Sequence, residues 1–151
     1  MRTMTRTMTM LGLPALTLSA CGQPKQLYAD HAWVRLGAVK RNPAAAYFTL
    51  HGGPGAATLI NVTTDVAIKS EMHESMAAAA GAMTTMKPIQ QVAIPAGATV
   101  PFQPGGRHVM LFDMNPGIKP GSTLTLTLSF ADGTRILQDA GVIGAGDPTP
   151  K

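Results

Sequence analysis

Between residues 123 and 130 the chain alternates without a break. Leu124, Leu126, Leu128 and Phe130 are apolar, while Thr123, Thr125, Thr127 and Ser129 are hydroxylated. A period of two belongs to a strand with one face buried and the other wet. Such a strand cannot stand alone, because its leucine face needs a second layer to cover it. Ala131-Asp132-Gly133-Thr134 then reads as a tight hairpin turn into a partner over 135–142. Further β-prone runs at 28–36, 45–50, 66–74 and 107–114 are parted by turn signals such as Gly52-Gly53-Pro54-Gly55 and Pro104-Gly105-Gly106. No long stretch repeats at 3.6 residues. Seven or eight strands at this spacing predict an all-β domain, a β-sandwich or a small Greek-key barrel.

The two ends read differently. Arg2 and Arg6 precede a short apolar core, Met10 to Leu18, and Leu18-Ser19-Ala20-Cys21 follows. The apolar core is too short to span a bilayer, which takes ~20 residues. The four-residue segment resembles the bacterial lipobox, which makes 1–20 a lipoprotein signal peptide and Cys21 the acylated mature N-terminus. Gly22 stands where an inner-membrane retention Asp would, so the expected location is the periplasm, anchored by lipid to the outer membrane. Residues 21–26 read as a tether, 27–143 as the domain, and 144–151 as a loose tail poor in apolar groups.

Charge and sulfur narrow the function. Without Arg2 and Arg6, ten basic residues face eight acidic ones, a net of +2, with no clustered basic face for nucleic acid. Cys21 is the only cysteine. Once it is acylated, the domain has no disulfide, no thiolate nucleophile and no thiolate ligand. A blue-copper electron carrier, which needs a Cys sulfur on its metal, is therefore excluded.

The thioethers are concentrated. Met72, Met76, Met83, Met86, Met110 and Met114 are the methionines of the mature chain, and His73 and His108 fall among them. Thioether and imidazole together favour Cu(I) over Zn(II), Mg(II) or Ca(II). On a strand over 107–111, His108 and Met110 share one face and Val109 and Leu111 the other, so a His-x-Met pair can chelate from one side. Met72 must point away from His73 into the core. Met76 and Met114 read as an apolar rim or as filling. His31 and His51 read as surface residues, and Trp33 and Phe48 as core. Glu71, Glu74 and Arg107 read as solvated surface, where charges beside the site could steer a partner; a role in fixing the free ring nitrogen of His73 or His108 stays open and is not assignable from sequence.

The pattern resembles the PCuAC periplasmic copper chaperones: a His, a loop, a Met, twenty-one residues, then His-x-Met. Here twenty-one residues separate Met86 from His108, Met110 completes the pair, and His73 matches the upstream His. Ala32-Trp33-Val34-Arg35, Ala45-Ala46-Tyr47-Phe48, Ile94-Pro95-Ala96-Gly97 and Pro104-Gly105-Gly106 extend the likeness over about 28–143. Two details depart from the family: twelve residues lie between His73 and Met86, and Met83-Thr84-Thr85-Met86 replaces Met-x-Met. Residues 77–80 would absorb the extra length as a hairpin tip, and Met83 stays an alternative to Met86.

The resemblance implies a cupredoxin-like β-barrel holding one Cu(I) through His73, Met86, His108 and Met110. It implies a carrier, not an enzyme, delivering copper to a respiratory haem–copper oxidase subunit alongside a thiol-bearing assembly protein. A lipoprotein that sequesters copper for tolerance is the alternative, and a copper-dependent oxidase the more remote one.

Overall fold

A computed structural model of the chain describes residues 26–76 and 84–151. The signal segment, Cys21, most of the tether, residues 77–80 and Met83 lie outside the described residues. Within them the protein is all β. Its strands are β1 (Tyr28–Arg35), β2 (Ala44–His51), β3 (Ala57–Thr63), β4 (Ala67–Met76), β5 (Thr85–Pro88), β6 (Val92–Ile94), β7 (Thr99–Phe102), β8 (Arg107–Met114), β9 (Thr123–Phe130) and β10 (Arg135–Ile143). They form one sheet in the order β5-β4-β8-β7-β2-β1-β10-β9-β3-β6. β3 and β4 touch although they stand near opposite ends of that order, so the sheet curls round on itself. The strand count exceeds the seven or eight expected because β5 and β6 hold only four and three residues. Runs that short carry no measurable period.

The alternating segment does what its pattern requires. Leu124, Leu126, Leu128 and Phe130 are buried, and β9 pairs antiparallel with β10 through the expected turn. Gly133 sits there at φ +88°, a conformation that suits glycine. From the other layer β2 contributes Ala44, Ala46, Phe48 and Leu50, and β8 contributes Val109 and Leu111. Fully burying one such aliphatic or aromatic side chain contributes ~1.5–3 kcal/mol.

Strand β1 breaks the alternation. Its register with β2 shifts between Asp30 and Trp33, a β-bulge with His31 at φ +49°. Ala29 points into the core before the bulge and Val34 after it, so Trp33 is turned out of the main core. It is buried all the same, as expected of a core residue, but beside the main cluster. Trp33 lies between Tyr47, 4.3 Å away by ring centroids, and the Arg35 guanidinium, 5.3 Å from its ring.

At the bulge, the Asp30 carboxylate pairs with His31 Nδ1 at 2.8 Å and His51 Nε2 at 3.0 Å. His51 is half-buried, stacks on Tyr28 at 4.4 Å, and so is more than a surface residue. Burial raises the Asp30 pKa, but the hydrogen bonds to His31 and His51 outweigh it and hold the group below its ordinary 3.8. A folded-state pKa below the unfolded value contributes stability that is complete above the unfolded value and lost as pH falls through the folded one. Asp30→Asn should therefore flatten the dependence of unfolding free energy on pH below about 4, the usual aspartate range. Parallel acid-limb slopes for the two proteins in denaturant titrations would refute this.

The segment expected to be a loose tail carries contacts that its composition does not reveal. Arg35 Nη1 donates to the carbonyls of Gly144, Ala145 and Asp147, and Arg35 Nη2 to Thr149 Oγ1.

Candidate metal centre

The face of β4 and β8 opposite the core is organised by their antiparallel register. Lys69 stands opposite Phe112, Glu71 opposite Met110, and His73 opposite His108. Directly opposed residues share a face, with Cβ atoms ~4.5–5.5 Å apart. Because Val109 and Leu111 are fully buried in the core, His108 and Met110 must project from the other side. On the far side of β4, Ser75 is opposite Met86 and His73 opposite Pro88. Ser75 lies two residues from His73, so Met86 falls on the His73 face. The register thus gathers His73, Met86, His108 and Met110 on one face. Met83 lies outside the described residues.

The four are unequally covered. His108 is only 3% exposed, and Met86, on the edge strand β5, is 58% exposed. His73 and Met110 are intermediate. The His73 and His108 rings lie 5.9 Å apart, and Tyr47 covers His108 from β2 at 6.3 Å.

Each imidazole is held by one nitrogen. His108 Nδ1 lies 3.1 Å from the Gly106 carbonyl; an oxygen that can only accept requires Nδ1 to donate. His73 Nε2 lies 3.1 Å from Glu71 Oε2, and against a carboxylate it too must donate. The other nitrogens, His73 Nδ1 and His108 Nε2, are buried and have no hydrogen-bond partner. Leaving a buried polar atom unpaired costs ~1–3 kcal/mol, so two on facing rings need a reason. Ligation supplies one: a metal-binding histidine characteristically gives its second N–H to a carboxylate or backbone carbonyl.

Glu71 is the residue whose part sequence could not assign. The alternation of β4 does place it on the His73 face, but its bonds required the structure. A hydrogen bond from Lys69, and then one from His73, hold its carboxyl below the usual glutamate range. Gly106 and Tyr47 carried no sequence signal for their roles. Glu74 pairs with Arg107 across the ladder at 3.3 Å, an exposed pair worth ~0–1 kcal/mol. Met72 is in the core as expected, Met114 packs partly against it, and Met76 is exposed at the end of β4.

Chemically, the face offers two unpaired imidazole nitrogens and two thioethers. Among the described residues, no three His, Cys, Asp or Glu side chains are placed to hold an ion. The donor set therefore fits a soft monovalent ion better than Zn(II), Mg(II) or Ca(II).

Comparisons with known proteins bear on the family and the fold. A sequence profile of the family described as "Putative lipoprotein LpqE-like" matches residues 27–142. The "Putative lipoprotein Lxx21020" of Leifsonia xyli subsp. xyli is 31% identical over 123 residues, covering 81% of this chain and 72% of its own. Among solved structures, the copper-bound PCuAC domain from PmoF2 superposes with a TM-score of 0.63 at 21% identity, covering 81% of this chain and 98% of that one. The Cu(I) form of DR1885 from Deinococcus radiodurans gives 0.59 at 26% identity, covering 82% and 83%. The chain belongs to the LpqE-like lipoprotein family, and its fold is the cupredoxin-like β-fold of PCuAC domains.

Proposed function

We propose that this protein is an extracytoplasmic copper carrier, anchored by lipid at Cys21, which holds one Cu(I) through His73, Met86, His108 and Met110. One observation carries the reading: on imidazole rings 5.9 Å apart, two buried nitrogens have no partner, while their ring-mates are fixed by Glu71 and Gly106. The Cu(I) form of DR1885, a structural relative, supports copper as the ion. Two neutral imidazoles and two thioethers add no charge to the ion, and soft ligands exchange readily. Exposed Met86 offers an incoming donor a place to begin stepwise replacement.

The recipient in this reading is the dinuclear copper centre of a respiratory oxidase subunit, reached alongside a thiol-bearing assembly protein. That destination is what the resemblance of the sequence motif to the PCuAC chaperones implies. With its one cysteine acylated, the carrier has no thiol to reduce a recipient's disulfide, which suits a division of labour.

Anaerobic titration against a chromophoric Cu(I) chelator tests the reading. The protein should remove about one equivalent, as its single four-donor face requires. Failure to compete at all removes copper binding from the account. Copper bound but never surrendered to an apo oxidase copper domain or to a dithiol protein would mark a sequestering lipoprotein instead.

A further inference from the structure

We propose that Lys69 is a specificity-determining residue: it holds the Glu71 carboxylate out of the metal shell and so keeps the site selective for Cu(I) over divalent ions. The inference rests on the copper reading above. The reason lies in the rungs of the β4–β8 ladder. Glu71 occupies the ligand face directly opposite Met110, two rungs from the His73–His108 pair and next to it on that face. An oxygen anion there is a hazard to a soft site. Two imidazoles and one carboxylate make a common ligand set for Zn(II), and carboxylate oxygen suits harder ions generally.

In the structure each oxygen of that anion has a partner. Glu71 Oε1 accepts from Lys69 Nζ at 2.6 Å, and Oε2 accepts from His73 Nε2 at 3.1 Å. Lys69 is itself positioned, with its ammonium 5.2 Å from the centroid of the Phe112 ring on the opposing rung. Lys69, Glu71 and His73 follow one another at every second residue of β4, so the three form a chain along one face. The carboxylate is drawn along β4 toward Lys69, and Glu71 does not join His73 and His108 in any three-residue metal cluster. Without Lys69, Oε1 keeps no partner, and the carboxylate is free to turn toward the two unpaired nitrogens. Phe112 and Lys69 thus act on metal choice from outside the ligand set.

The test compares Zn(II) and Cu(I) affinities, each by chelator competition, in the wild type, Lys69→Gln, Lys69→Arg and Lys69→Gln/Glu71→Gln. Lys87→Gln, a neighbouring exposed lysine on β5, controls for the loss of one positive charge. Lys69→Gln should raise Zn(II) affinity about tenfold or more relative to Cu(I), a difference of one decade in binding constant. Lys69→Arg should stay near wild type, and the double variant should return to the wild-type Zn(II)-to-Cu(I) ratio while binding both ions more weakly, because Glu71→Gln also loosens the hold on His73. Zinc-edge X-ray absorption of Lys69→Gln should show an added oxygen ligand that the double variant lacks. An unchanged Zn(II)-to-Cu(I) ratio, or an equal gain in Lys87→Gln, overturns the proposal while the copper reading stands. If no form of the protein takes up Cu(I), both fall together.

Discussion

His108→Ala is expected to lower Cu(I) affinity by well over a hundredfold, beyond the ~10–100-fold typical of losing a residue that merely supports a ligand. The fold should survive, for reasons visible around the ring. The Gly106 carbonyl that accepts from His108 Nδ1 also accepts from the Ser75 backbone N–H at 3.1 Å, so it is not stranded. The variant also removes a buried nitrogen that has no partner in the metal-free protein, relieving a cost of ~1–3 kcal/mol. That relief opposes the loss of packing under Tyr47. Metal-free stability should consequently change little, or even rise, while metal binding collapses. His73→Ala should behave alike. Met86→Ala, which removes an exposed thioether from an edge strand, should weaken binding far less and speed release of the ion. Denaturant titration of the metal-free forms and chelator competition, run on the same preparations, separate the two effects. Wild-type copper affinity in His108→Ala would remove His108 from the site.

The parts of this site legible in the sequence are those governed by strand parity alone. His108 and Met110 face away from Val109 and Leu111 because β8 keeps a constant register with β4 over 107–112, and the same rule turned Met72 inward. Met86 is different. Its face depends on the register of β5 against β4, which cannot be counted from residue types. Trp33 shows parity failing outright, since the bulge after Asp30 moves the inward position from the odd residue Ala29 to the even residue Val34. The grip of Arg35 on 144–149 joins residues more than a hundred positions apart, beyond any local pattern. Glu71 lies between these cases: its face was legible, but the two bonds that occupy its oxygens were not.

Behind the site, Phe48→Ala should be the most damaging single substitution to stability. Phe48 is 1% exposed, and it stands opposite Phe102 in the β2–β7 ladder with ring centroids 4.4 Å apart and planes at 20°. Truncating a buried phenylalanine costs ~3–5 kcal/mol, and the lost aromatic pairing, ~0.5–1.5 kcal/mol, lies within that figure. Set against a typical domain stability of ~5–15 kcal/mol, this is about a fifth of the total or more. At ~4 °C per kcal/mol, where the ranges for smaller and larger domains meet, the midpoint of thermal unfolding should fall by more than 10 °C. Phe48→Leu keeps most of the volume and should cost much less. The substitution also reaches the metal face indirectly, because the neighbouring residue Tyr47 is the one that covers His108. Cu(I) binds the folded state, so loading the variant should recover part of the lost midpoint by mass action. That recovery should vanish when His108→Ala is added, since the linkage then has no ligand to act through. A loss below about 1 kcal/mol in Phe48→Ala would contradict the packing described for β2 and β7, because no well-filled site relaxes so completely after losing an aromatic ring.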